Sequence, residues 1–222
     1  MAFNALRNIF GKTAQENGPA PRVALVGPRI PRHSTGWAAM LKHLREEESL
    51  RVLDIGPTSP SNINFLTGLG HSLYMADIVT EVHRGGWLQP AREEAPRSEA
   101  EIEAFLDQHL DFGGRLFDVV LLWTTLDYLP EELLVPMIGS LYASLKPNGR
   151  VLVFFHTKTA TPEQVFYRYH VTESDSVEMQ EAQRLPVSQI HTNRKIEKLF
   201  SAYQSCKFYL AKDNVYEVLV TR

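Results

Sequence analysis

Short apolar runs alternate with longer amphipathic and turn-rich segments along most of the chain. Short runs bounded by turn residues are typical of buried strands, and longer segments with apolar residues three and four positions apart are typical of helices. The predicted strands are 52–55, 72–76, 117–123, 151–155, 207–211 and 215–221. The predicted helices are 35–48, a short helix capped by Ser61 that ends at Gly68 or Gly70, a helix from Ser98 to Leu110, one from Pro130 to 146–149, and one from Thr192 to about 201.

The order of these elements predicts an α/β fold. Residues 51–79 read as strand, helix and strand, a spacing that requires a parallel pair with a right-handed crossover. The run 117–123 is almost continuously apolar, as expected of a central strand buried on both faces. The last two runs are joined by a short polar turn, which predicts an antiparallel hairpin. We therefore expect a doubly wound, mainly parallel sheet with helices on both faces and this hairpin at the C-terminal end.

One domain accounts for most of the 222 residues, since this length suits a single α/β core. Residues 1–21 are predicted to form a flexible N-terminal segment, and residues 22–222 a single domain. The stretch from 157 to about 190 is polar and has no clear period, which predicts an irregular insertion within that domain.

Charge and cysteine content narrow the function classes. The formal net charge is −3 and Cys206 is the single cysteine. A mildly acidic chain does not favour general nucleic-acid binding, and one cysteine excludes a cysteine-cluster zinc site, so no metal site is predicted. No apolar run approaches the roughly 18 residues of a membrane span, and the first residues lack the features of a secretory signal. We therefore expect a soluble, cytoplasmic protein.

The candidate chemistry lies next to the strand ends, because ligands of such sheets bind outside the carboxyl ends of the strands. A carboxylate about twenty residues beyond the glycine of the first strand end has the spacing that suits a ribose diol. The candidate residues are Asp54, Gly56, Pro57 and Thr58 at the first strand end, Asp77 after the second, Asp111 and Phe112 ahead of the third, and Trp123 and Thr124 after it.

At these positions the chain resembles the class I S-adenosylmethionine-dependent methyltransferases over roughly residues 35–222. The blocks that carry the resemblance are VLDIG at 52–56, MAD at 75–77, LDFGGRLFDVVLLWTTLDYLP at 110–130 and LKPNGRVLVFF at 145–155. The C-terminal hairpin is the feature that separates this family from nicotinamide Rossmann domains. The resemblance implies a seven-stranded sheet, S-adenosylmethionine as the cofactor and methyl transfer as the activity.

The resemblance also implies a role for each candidate residue. Asp77 would accept hydrogen bonds from the ribose hydroxyls, and Gly56 with its flanking residues Asp54, Pro57 and Thr58 would lie beside the methionine portion. The pair Asp111 and Phe112 would contact the adenine, whereas Trp123 and Thr124 would form a wall of the cleft.

The glycine loop departs from the family pattern. The usual Gly-x-Gly-x-Gly is here Gly56-Pro57-Thr58-Ser59-Pro60, so Thr58 and Pro60 stand where glycines are expected. This departure keeps open a second function, a non-catalytic methyltransferase-like domain that serves as a binding or scaffold module. A nicotinamide oxidoreductase is disfavoured because Gly-x-Gly-x-x-Gly is missing.

The catalytic residues and the acceptor are not identified by the sequence. His156 and His170 are the candidate bases for a hydroxyl or amine acceptor, and a solvated loop position is the alternative for each. Asp127 and Tyr128 either face the acceptor or act as a helix-start charge and a packed aromatic residue. The aromatic and basic cluster FYRYH at 166–170 either closes over the site as a lid or binds substrate, or it packs within a surface insertion. The mild acidity favours a small-molecule acceptor, with nucleic acid and protein side chains as alternatives.

Overall fold

The computed structural model describes residues 27–88, 97–158, 163–210 and 213–222. The predicted N-terminal segment 1–21 and the apolar run 23–26 lie outside the described residues. The helices are α1 (Thr35–Glu46), α2 (Pro60–Gly68), α3 (Ile78–Arg84), α4 (Glu99–Leu110), α5 (Glu131–Ser144) and α6 (Asn193–Leu199), with a 3-10 helix at Thr125–Tyr128. The strands are β1 (Ile30–His33), β2 (Arg51–Ile55), β3 (Ser72–Ala76), β4 (Phe117–Trp123), β5 (Leu145–His156), β6 (Glu163–Val171), β7 (Ser176–Pro186), β8 (Ser205–Leu210) and β9 (Val215–Thr221). None of the helices in these ranges has the length and apolar character of a membrane span.

The main sheet has six strands in the order β3-β2-β4-β5-β9-β8. The first four are parallel to one another, whereas β9 runs antiparallel to both β5 and β8. The predicted parallel pair and the C-terminal antiparallel hairpin are thus confirmed. The predicted seven-stranded sheet is not: in the described part of the chain, β3 is an edge strand and the path from β3 to β4 runs through α3 and α4 only.

Helices cover both faces of this sheet, as the apolar pattern predicts. One apolar core lies between the sheet and helices α1 and α2, and includes Trp37, Leu66 and Leu121. The other lies between the sheet and helices α3 to α6, and includes Val79, Val120 and other side chains. Since β2, β4 and β5 contribute apolar side chains to both cores, their sequences read as nearly continuous apolar runs.

The insertion predicted to be irregular is instead a long antiparallel hairpin. Strands β6 and β7 pair with each other, and β7 also pairs with β1, which gives a second sheet in the order β1-β7-β6. Strand β6 is buried on both faces: Arg168 and His170 point to one face, and Tyr169 and Val171 point to the other. Gln180 of β7, opposite Arg168, is a further buried polar side chain. The two-residue period is hidden because these polar groups are buried through hydrogen bonds rather than exposed.

Two helix ends differ from the prediction, while one start is confirmed in detail. The cap of α2 is Ser59, two residues before the predicted Ser61, and Pro60 occupies the first turn, where its missing N–H costs nothing. Helix α5 ends at Ser144, because strand β5 already begins at Leu145. The capping box between Ser98 and Glu101 is present at the start of α4.

Candidate functional site

The carboxyl ends of β2, β3 and β4 meet at one edge of the main sheet because the three strands are parallel. We call this edge the carboxyl edge. At its centre the backbone N–H of Gly56 donates to the carbonyl of Ala76 at 2.8 Å, which joins the loop after β2 to the end of β3. A Cβ on Gly56 would lie 3.3 Å from Cδ1 of Trp123, so the absence of a side chain lets the end of β4 approach the loop.

Asp54 is a buried carboxylate that connects the elements at this edge. Its side chain is 4% exposed, and its two carboxylate oxygens accept from Nε1 of Trp123 at 2.6 Å and from Nδ2 of Asn62 at 2.8 Å. Burial raises the pKa of Asp54 to about 6, although both hydrogen bonds act in the opposite direction. The structure therefore gives Asp54 the part of a residue that positions the loop, β4 and α2.

Trp123 closes one side of the carboxyl edge. Its backbone φ is 47°, a left-handed conformation that is unusual for a bulky residue. The indole is kept in place by Asp54 and by stacking on Tyr169, with ring centroids 4.8 Å apart and planes 7° from parallel. Thr124 is the next residue, also buried, and the hydroxyl of Thr125 donates to the carbonyl of Ile55 at 2.9 Å. These contacts hold the end of β4 in place, and the role of Trp123 and Thr124 as a wall of the donor cleft stays a prediction.

Asp77 lies at the end of β3 and caps α3. Its carboxylate accepts from the backbone N–H of Thr80 at 3.1 Å and from the Thr80 hydroxyl at 2.8 Å. The residue is half-buried, and each of its oxygens retains a free lone pair for a further donor. Asp77 thus lies beside the Gly56 loop, and its ribose-binding role stays a prediction.

Asp111 and Phe112 are not brought to this edge. Asp111 is the exposed C-cap residue of α4, and its carboxylate accepts from the backbone N–H of Gly113 at 2.7 Å. The ring of Phe112 packs edge-on against Phe117, the first residue of β4, at 5.0 Å. The far end of β4 is Trp123, six residues away, or about 20 Å at the rise of an extended strand. The two residues lie at the opposite edge of the sheet, so they are left out of the site that we propose.

The hairpin β6–β7 crosses the carboxyl edge and contacts the loop after β2. On that loop, Nε of Arg168 donates to the carbonyl of Thr58 at 2.7 Å, and Nδ1 of His170 lies 2.8 Å from the hydroxyl of Ser59. At α2, Asn62 donates to the carbonyl of Tyr169 at 3.0 Å. His170 is therefore a buried structural residue rather than a solvated one.

The same hairpin also reaches the ends of β4 and β3. The hydroxyl of Tyr128 donates to the carbonyl of Val165 at 3.2 Å, and Nε2 of Gln183 donates to the hydroxyl of Thr80 at 3.2 Å. The hairpin thus contacts the segments that come after β2, β3 and β4. A covering role was one of the alternatives that the sequence left open for the cluster 166–170. Sequence reasoning missed Gln183, because the apolar pattern does not predict the strand on which it lies.

A buried carboxylate and two histidines form a second polar group at the ends of β4 and β5. Asp127 is fully buried, and one of its oxygens accepts from the backbone N–H of His156 at 2.7 Å and lies 2.7 Å from Nδ1 of the same residue. Nε2 of His191 lies 3.8 Å from the other oxygen. Burial raises the pKa of Asp127, against the opposing effect of the His156 hydrogen bonds, and burial lowers the pKa of His191.

This arrangement pairs Nδ1 of His156 with the Asp127 carboxylate. Since Asp127 can only accept when ionised, Nδ1 of His156 carries the proton, and Nε2 is left as a proton acceptor. The His156 side chain is 12% exposed, whereas the carboxylate behind it has no solvent contact. Such a pair has the arrangement of a general base held by a carboxylate.

Comparison with known proteins decides the family. A scan against family models matches residues 29–204 to a methyltransferase domain. The chain belongs to the methyltransferase domain family. This membership confirms the resemblance drawn from the strand ends, and with it S-adenosylmethionine as the methyl donor.

Solved structures of low sequence identity are similar to this chain. The PH0226 protein from Pyrococcus horikoshii is similar with a TM-score of 0.51 and 13% identity, over 84% of this chain and 88% of that one. Magnesium protoporphyrin IX methyltransferase from Synechocystis, solved with bound S-adenosylmethionine, gives 0.46 and 17%, over 84% and 77%. A candidate O-methyltransferase from Nostoc punctiforme gives 0.46 and 15%, over 85% of this chain but 56% of that one, so this methyltransferase spans little more than half of it. A search of curated proteins finds no match.

Proposed function

We propose that the protein transfers the methyl group of S-adenosylmethionine to a small-molecule acceptor at the carboxyl edge of the main sheet. The observation that carries this proposal is the meeting of Gly56, Asp77 and Trp123 at one edge, within a chain whose family is that of methyltransferase domains. Proteins of this kind bind ligands at that edge of a parallel sheet.

The donor site that we propose uses the residues that remain at this edge. Asp77 accepts from the ribose hydroxyls, the backbone of 56–58 contacts the methionine portion, and Trp123 and Thr124 form the wall. Asp54 acts behind the loop by holding Trp123 and Asn62. The bound donor supplies an electrophilic methyl group on a positively charged sulfur.

The altered glycine loop is compatible with a ligand at this edge. Pro60 is accounted for by its place in the first turn of α2, and Ser59 by its capping bond to the backbone N–H of Asn62. Thr58 is exposed rather than turned into the loop. Thr58 and Pro60, which replace the expected glycines, therefore fit the local structure without blocking a cofactor site.

The covering hairpin supports a small acceptor. Its contacts to Thr58, Thr80 and Tyr128 place it across the ends of β2, β3 and β4, which restricts the approach of a bulky polymer. The net charge of −3 agrees with this proposal, because a nucleic-acid acceptor is usually matched by excess positive charge.

His156 is the residue that we propose to take the proton of the acceptor. A neutral hydroxyl is a weak nucleophile, and a base positioned by a buried carboxylate increases its reactivity. Asp127 keeps Nδ1 of His156 protonated, so Nε2 holds the proton that the acceptor releases. An acceptor that is already nucleophilic would not need this step, because positioning alone gives much of the rate.

Calorimetric titration with S-adenosylmethionine and S-adenosylhomocysteine tests the proposal before any acceptor is known. We expect micromolar binding of both, and no binding of NADH in a parallel titration. Absence of binding in protein shown to be folded by circular dichroism would contradict the proposal and favour the non-catalytic domain. Binding would justify a screen of hydroxyl and amine acceptors, in which transfer to a polynucleotide or a protein, but to no small molecule, would correct the acceptor class.

A further inference from the structure

A buried arginine beside the glycine loop forms no ion pair with any of the described residues. Arg168 of β6 is 9% exposed, and its Nε donates to the carbonyl of Thr58 at 2.7 Å. The described residues provide no carboxylate within 4.0 Å of its guanidinium and no hydrogen-bond acceptor for its two terminal nitrogens. The carboxylate of Asp77 is close enough to raise the pKa of Arg168, but burial, the larger effect, lowers it.

A second buried arginine, Arg32, differs from Arg168 because it is ion-paired. Arg32 is 6% exposed, and its guanidinium is paired with Asp213 at 2.6 Å and with Glu217 at 2.5 Å. A buried charge is costly unless it is paired and hydrogen-bonded, and Arg32 shows the usual arrangement of a structural arginine. Arg168 lacks this arrangement, and its terminal nitrogens are not among the enclosed unpartnered polar atoms of the described residues. An anionic ligand can therefore reach them from the solvent side.

The position of Arg168 identifies the ligand group. Thr58 belongs to the loop that, in the proposed function, contacts the methionine portion of the donor, and Arg168 is bonded to that loop. The methionine portion carries the single carboxylate of S-adenosylmethionine. A guanidinium whose two terminal nitrogens are free matches a carboxylate in a two-pronged pair.

We propose that Arg168 binds the carboxylate of the methyl donor through its terminal nitrogens. This inference rests on the proposed function and adds to it a residue outside the parallel sheet, supplied by the covering hairpin. The hairpin is then part of the donor site. Nε of Arg168 also stabilises the loop 56–60, which in the family pattern is rich in glycine.

Two ligands that differ in the carboxylate test the inference. S-adenosylhomocysteine carries it, and 5′-methylthioadenosine has the same nucleoside thioether without the amino-acid portion. The variants are Arg168→Met, which keeps an unbranched apolar stem and removes the charged guanidinium, and Arg184→Met as a control on an exposed arginine of the same hairpin. Since the titration contains no acceptor, an effect on binding arises from the donor alone.

We expect Arg168→Met to weaken S-adenosylhomocysteine about 10- to 100-fold, as for a lost charge-assisted pair, while 5′-methylthioadenosine binds as in the wild type. Arg168→Lys should retain part of the affinity, and Arg184→Met all of it. Equal weakening of both ligands would overturn the inference and assign Arg168 a purely structural role. Unchanged binding of both would also overturn it, and would leave a carboxylate on the acceptor as the remaining source. If the wild-type protein bound neither ligand, the proposed function itself would be wrong and the Arg168 site with it.

Discussion

At the scale of single residues, the geometry of the carboxyl edge is set by buried side chains that position their neighbours through hydrogen bonds. Asp54 is the clearest case, because it is too deeply buried to reach a ligand freely yet joins β2, β4 and α2 through Trp123 and Asn62. Two donors directed at one carboxylate limit the orientations that the loop can adopt. The cost of this arrangement is a charge in a nearly dry environment, and that cost depends on pH.

Asp54 should make the protein less stable as the pH rises from about 4 to about 6. Its pKa is about 6 in the folded state and about 3.9 in an unfolded chain, so within this window the folded state binds more protons. Stability then falls with rising pH, by about 3 kcal/mol over the full window. Urea unfolding of the wild type and of Asp54→Asn across this range checks it. The asparagine variant carries a constant cost of mismatched donors but should lack this pH dependence; parallel stability curves would contradict the raised pKa.

Asp77 has two roles that two substitutions can separate. Asp77→Ala removes the cap of α3 and the proposed ribose acceptor, so we expect a loss of about 1 kcal/mol in stability and a 10- to 100-fold loss in S-adenosylhomocysteine affinity. Asp77→Asn keeps a good capping residue and removes the charge. It should unfold like the wild type in urea and still bind about 10-fold more weakly by calorimetry. Wild-type affinity in the asparagine variant would remove Asp77 from the donor site.

At the scale of elements, α2 and the hairpin act as one unit. Asn62, in the first turn of α2, donates to the carbonyl of Tyr169 and accepts from the backbone N–H of Val171 at 2.8 Å. Through its other bond to Asp54, the same side chain connects the hairpin to β2. The Asn62 amide is therefore one of several attachments of the hairpin to the main sheet, and it lies close to the loop that Arg168 contacts.

Close packing between α1 and the main sheet explains one glycine. A Cβ on Gly36 would lie 2.7 Å from Cδ1 of Leu152 and 2.9 Å from Oε2 of Glu217, and the Gly36 N–H donates to that same oxygen at 2.6 Å. We expect Gly36→Ala to destabilise the protein by about 1 to 3 kcal/mol through overpacking. Gly139→Ala in α5 is the matched control, because its Cβ meets nothing within 4 Å and should instead stabilise the helix by up to about 1 kcal/mol. Thermal unfolding of both variants measures the contrast, and similar melting temperatures would contradict it.

At the scale of the whole molecule, the parts of the fold that could be predicted are those set by local pattern. The capping box at Ser98, the bounds of β3 and the C-terminal hairpin depend on short-range signals. The second sheet could not be predicted, because β6 and β7 bury His170 and Gln180 through hydrogen bonds that depend on distant partners. In the sequence, the polar residues His170 and Gln180 therefore suggest exposed positions, although both are buried in the structure.

The same distinction holds for the candidate site. Gly56 and Asp77 could be placed because a parallel strand pair brings the ends of successive strands together. Asp111 and Phe112 could not be placed from the sequence. Their position depends on the edge of the sheet at which α4 ends, and α4 ends at the amino edge. Arg168 could be named only as part of the basic cluster 166–170, since the lack of an ion pair is visible only once its surroundings are known.

The division between the two edges of the sheet predicts where a bound donor protects the backbone. A ligand that binds only the folded state at 100 times its Kd stabilises it by about 2.7 kcal/mol, and local openings near the site are suppressed most. Hydrogen exchange with and without S-adenosylhomocysteine should show added protection at 56–59, 123–127 and 165–170. Residues 111–116 at the amino edge should change no more than the protein as a whole, which makes them an internal control. Protection concentrated at 111–116 would restore Asp111 and Phe112 to the donor site and contradict its placement under the hairpin.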